Sequence, residues 1–109
     1  MTSEVLLIFC TCPDEETGAR IAETLVVERL AACVSRLPAL TSVYLWEDAL
    51  ERNTEHLLLI KSTSGRFEAL RDRLRELHPY ELPEILAIPA AEGLPEYLQW
   101  VDACTSTDA

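Results

Sequence analysis

Ser42-Val43-Tyr44-Leu45-Trp46-Glu47-Asp48-Ala49 is the stretch whose reading decides the fold. Val43 and Leu45 alternate with Tyr44 and Trp46, the two-residue period of a strand. The polar group Glu47-Asp48-Ala49 then reads as a hairpin turn, and Asp is one of the few residues besides glycine that tolerate turn geometry. Working outward, the extended segment reaches back to Cys33, and Asn53 to Thr63 forms the return strand through Leu57-Leu58-Leu59-Ile60. Pro38 cannot donate to a ladder, so it marks a bulge, a bend or a free edge. Paired strands of this length exceed the usual ~5–6 residues. One end of the hairpin is therefore expected to overhang its own sheet, and overhanging edges invite pairing with another chain.

The hairpin is preceded by one strand and one helix and followed by a helix, a strand and a last helix. Upstream, Val5-Leu6-Leu7-Ile8-Phe9-Cys10-Thr11-Cys12 is a continuous apolar run, as in a strand buried on both faces. Pro13-Asp14-Glu15-Glu16 signals a helix start, and Ile21, Ala22, Leu25 and Val26 form one apolar face of a helix running to about Leu30. Gly18 within it costs ~1 kcal/mol relative to alanine. Downstream, Phe67, Leu70, Leu74 and Leu77 recur at helical spacing after Ser64-Gly65. The opposite face interleaves Arg66, Arg71, Arg73 and Arg75 with acids, the pattern of a solvated face. The connector His78-Pro79-Tyr80-Glu81-Leu82-Pro83-Glu84 follows, then a short strand Ile85 to Ile88 and a last helix from about Pro95 to Ala103. Ser106 to Ala109 reads as a frayed tail. The order β-α-β-β-α-β-α is that of an α+β, ferredoxin-like split βαβ domain spanning residues 1–109. It predicts a four-stranded antiparallel sheet with helices on one face and a long β2-β3 hairpin.

The 109 residues carry a net charge of −10, which disfavours nucleic acid and anionic membranes as partners. An RNA-recognition module of the same strand order needs more aromatics on the first strand than Phe9. An acylphosphatase-like phosphate cradle is excluded by the acidic loop Thr11 to Glu16. No stretch approaches the ~20 apolar residues that cross a bilayer. Glu4 stands where an export signal has basic residues, so a cytoplasmic protein with reduced thiols is expected. Cys10, Cys12, Cys33 and Cys104 include no CxxC pair. Cys33 reads as core, Cys104 as incidental and His56 as a satisfied or surface histidine.

Two candidate sites remain. Cys10 and Cys12 point to one face of the first strand, and the connector is expected to bring His78 nearby. A thiolate with an imidazole suits copper or zinc. The alternative is that Cys10 is a buried apolar residue and His78 a hydrogen-bonded helix terminator. The second constellation is Tyr44, Trp46, Glu55, Lys61, Tyr80, Glu81 and Glu84, with Trp100 on the last helix available for a partner. It reads either as a cleft for a small molecule between subunits or as a subunit interface, where Tyr and Trp are enriched. No signature of a catalytic nucleophile and base stands out, and no enzyme is expected.

The chain resembles the divalent-cation tolerance CutA family. The resemblance is carried, in order, by Cys10-Thr11-Cys12-Pro13-Asp14, Arg29-Leu30-Ala31-Ala32-Cys33-Val34, Ser42-Val43-Tyr44-Leu45-Trp46, Lys61-Ser62-Thr63, the connector from His78 to Glu84, and Tyr97-Leu98-Gln99-Trp100. It implies a homotrimer of ferredoxin-like subunits, tolerance of copper and other divalent cations, and a trimer similar to PII-type signalling proteins. The copper ligands it implies match Cys10 and His78, but Leu77 stands where the family has a second histidine, so only weak binding of copper or another divalent cation is expected. Asp48 stands where the family has a turn glycine.

Overall fold

The computed structural model describes residues 4–107; Asp108 and Ala109 of the expected tail lie outside them. The elements are β1 (Val5–Cys12), α1 (Glu15–Val27), β2 (Cys33–Trp46), β3 (Ala49–Thr63), α2 (Phe67–Leu77), β4 (Leu86–Pro89) and α3 (Pro95–Thr105). The four strands form one antiparallel sheet in the order β2-β3-β1-β4. The α+β class and the element order expected of the sequence are both present.

The hairpin is longer than the sheet that carries it. Trp46 pairs with Ala49, leaving Glu47 and Asp48 as a two-residue turn, and the return strand starts at Ala49 rather than at Asn53. Both turn residues sit in the left-handed region, with φ of 50° and 67°, as a primed hairpin turn requires. Register slips between Leu37 and Leu40, so Pro38 sits at the irregularity it was expected to cause. Because β1 pairs with β3 only as far as Cys12 and His56, the rungs from Leu40–Glu55 to the turn have no third strand. This overhang stretches the molecule to 47 Å along its long axis, against 26 and 22 Å across.

Helix α1 begins where Asp14 Oδ1 accepts the Thr17 N–H at 2.8 Å. It ends at Val27, short of the expected Leu30, because Arg29 turns to φ 60°. The Leu30 N–H reaches back to Leu25 O and the Arg29 N–H to Val26 O, the helix-ending bonds usually made around a glycine. Gly18 has a packing reason: a Cβ there would stand 3.1 Å from Cys12 Sγ. The core is the even-numbered face of β1 (Leu6, Ile8, Cys10, Cys12) with Leu58 and Ile60, closed by Ile21 and Leu25 of α1 and Leu70 and Leu74 of α2.

The sheet's other face is differently covered. α3 packs there, not beside α1 and α2, through Val5, Ala32 and Val101 and a Thr63–Thr105 hydroxyl contact of 3.4 Å. Leu7, Phe9, Leu57 and Leu59 share that face by register and are only half-buried, while Leu86 and Ile88 stay 61% and 48% exposed. Cys33, expected in the core, is half-buried near the Lys61 ammonium instead.

Candidate functional site

The connector is held as rigidly as its prolines suggest. Pro79 keeps His78 extended (φ −82°, ψ 135°), which stops α2 at Leu77. The buried His78 ring then makes two bonds: Nε2 lies 2.7 Å from Thr11 O, and Nδ1 accepts the Tyr80 N–H at 3.1 Å. The tautomer that makes both carries its proton on Nε2 and its lone pair on Nδ1. The imidazole thus ties the connector to the end of β1, with the Tyr80 ring 4.7 Å away.

Cys10, the other sulfur–nitrogen candidate, is fully buried. Burial, reinforced by the charges of Cys12, Glu84 and Glu55, pushes its thiol up to about 12. Burial also pushes the Cys12 thiol up, helped by Asp14. A metal needs a thiolate and a free ring nitrogen; here the thiol holds its proton and both ring nitrogens are engaged. Among the described residues no three His, Cys, Asp or Glu side chains are grouped to hold a metal ion. The residues as arranged do not fit a tightly held metal.

The second constellation divides in two. Tyr44, Trp46, Glu55, Tyr80, Glu81 and Glu84 line one open cleft of about 930 Å3 between the overhanging hairpin and the connector. At its base Tyr80 donates its phenol proton to Glu55 Oε2 at 2.7 Å. Burial and that carboxylate push the Tyr80 phenol well above its ordinary range. Asn53 donates to the Tyr44 hydroxyl across the two hairpin strands. Lys61 and Trp100 lie elsewhere. Lys61 is six residues along β3 from Glu55, roughly 20 Å away, and donates to Ser35 Oγ. Trp100 packs its ring 5.6 Å from Tyr97 on α3.

Glu51, Asn53 and Thr11 also line the cleft and were not singled out from the sequence. Their signal was the register itself: Glu51 faces Tyr44 and Asn53 faces Ser42 across the hairpin. Alternation places all four on one face once the turn is located.

Comparison with known proteins agrees along the chain. A divalent-cation tolerance protein CutA from Thermus thermophilus is 51% identical over 98 residues, covering 90% of this chain and 93% of its own length. Human Protein CutA is 43% identical over 99 residues, covering 91% of this chain, which spans only 55% of the human protein's length. The solved structure of a CutA from Archaeoglobus fulgidus, described as a periplasmic divalent cation tolerance protein, superposes with a TM-score of 0.90 at 36% identity, covering 94% of this chain and 99% of its own. The family model described as CutA1 divalent ion tolerance protein matches residues 6–104. The chain belongs to the CutA1 divalent ion tolerance family.

Proposed function

We propose that this protein is a non-catalytic homotrimer serving the response to, and homeostasis of, divalent metal ions, with at most weak binding of copper or another divalent cation at Cys10 and His78. Family membership carries the reading; the family bears the name of a tolerance protein, not of an enzyme. Assembly is supported by the half-covered sheet face. Leu7, Phe9, Leu57, Leu59, Leu86 and Ile88 form a contiguous apolar surface that α3 covers only at one end. Such a surface is a contact site rather than a stable solvent face. Four free thiols favour a reducing compartment, hence the cytoplasm. No helix among the described residues is long and apolar enough to cross a membrane.

Weak binding follows from what a metal displaces. Ligation by His78 Nδ1 breaks the Tyr80 N–H bond, and ligation by Cys10 removes a proton that burial holds. Titrating Cu(I), Cu(II) and Zn(II) into reduced protein tests the assignment. Weak affinity lost in Cys10→Ser and His78→Ala supports it; affinity unchanged in both removes these two residues as ligands.

A second reading is a PII-like sensor that takes a small molecule where subunits meet. The observation favouring it is the convergence of Tyr44, Trp46, Glu55 and Tyr80 on one cleft.

A further inference from the structure

The geometry points to the hairpin–connector cleft as a site for a small organic cation, an alkylammonium or guanidinium compound held between the Tyr44, Trp46 and Tyr80 rings and the Glu55 carboxylate. The inference rests on the reading of the cleft as a small-molecule site and adds the class of ligand.

The lining itself makes the argument. Four carboxylates, Glu51, Glu55, Glu81 and Glu84, border the cleft, and among the described residues no Lys, Arg or His side chain does. Glu55 is 5% exposed, and its Oε2 takes the Tyr80 proton. Among the described residues no donor meets its other oxygen. Among the described residues no buried side-chain nitrogen or oxygen lacks a partner, so that oxygen keeps solvent contact, and the open space that Glu55 lines is the cleft. A carboxylate this buried ordinarily has a cationic partner, and among the described residues of this chain none forms an ion pair with Glu55.

Two features select an organic cation over a metal ion. The carboxylates do not gather as a three-ligand set, which a hard ion needs to replace its water. Tyr44 and Trp46 line the cleft and are each 41% exposed, and a diffuse cation is attracted to aromatic faces. The net charge of −10 adds a long-range field of the same sign.

The test uses the full-length protein and the two indole N–H signals of its NMR spectrum, with Trp46 assigned through Trp46→Phe and Trp100 serving as internal control. Choline, putrescine and agmatine are titrated beside 3,3-dimethylbutan-1-ol, the neutral isostere of choline. The expected result is a saturable shift of Trp46 alone, with the neutral isostere at least about tenfold weaker. Glu55→Gln keeps an acceptor for Tyr80 and removes the charge, so it is expected to weaken choline about tenfold. Glu84→Gln, on the exposed connector, checks the same charge effect without touching a buried position. Equal binding of the neutral isostere, or a Trp46 shift with zinc chloride but none with the organic cations, overturns the ligand class and leaves the cleft as a binding site. No Trp46 response to any probe in folded protein overturns both.

Discussion

The sequence leaves Cys10 either a metal-ligand candidate or a buried small residue, and in the fold it is a fully buried core residue. Its ordinary value of 9.0 is raised to about 12 by burial, and the sign of the stability effect follows. Below about pH 9 the thiol is protonated in folded and unfolded chains alike, and its contribution is fully present. Between about 9 and about 12 only the unfolded chain ionises, so stability falls as pH rises. Chemical unfolding of wild type against Cys10→Ala is expected to show an alkaline limb shallower in the variant by ~1.4 kcal/mol per pH unit. Equal slopes would show that this thiol is not protected by the fold. His78 makes a parallel case. The sequence left it either a ligand or a hydrogen-bonded helix terminator, and the contacts with Thr11 O and the Tyr80 N–H engage both nitrogens. Nothing local to His78 encodes Thr11, which is 67 residues away.

Elements were legible where local chemistry is strong. The helix start at Pro13-Asp14-Glu15-Glu16, the Pro38 irregularity and the hairpin turn all follow from residue type and spacing. Asp14→Ala removes the acceptor of the Thr17 N–H and is expected to lower stability by ~1 kcal/mol in denaturant titration. The turn departs from the usual chemistry, since Glu47 and Asp48 hold left-handed conformations without a glycine. Asp48→Gly is expected to raise stability by about 1 kcal/mol, read as a higher Tm. A lower Tm would mean that the Asp48 side chain contributes more than its backbone strain costs. The end of α1 was not legible. Arg29 takes a conformation usually given to glycine because Leu30 and Ala31 are pulled into the core behind it.

At the scale of the molecule, the decisive surface is the sheet face that α1 and α2 leave uncovered. Leu59 sits in its middle, half-buried and paired with Phe9. Leu59→Glu puts a charge in the proposed subunit contact. Light scattering is expected to give a mass near one chain for this variant, with circular dichroism still native, while wild type and a control on the outer face of α1, Glu23→Ala, give three. Wild type scattering as a single chain would remove the trimer itself. Alternation at the hairpin, continuous apolar runs and helical spacing determined the strands, the helices and their order, because each depends only on neighbours along the chain. The sequence likewise placed Tyr44, Trp46, Glu55, Tyr80, Glu81 and Glu84 among the site candidates. Only the tertiary structure decided that these six share a cleft and that Lys61 and Trp100 do not. It also decided that α3 crosses to the other face. Those facts depend on register and on the distance between segments far apart in the chain, which residue type alone does not specify.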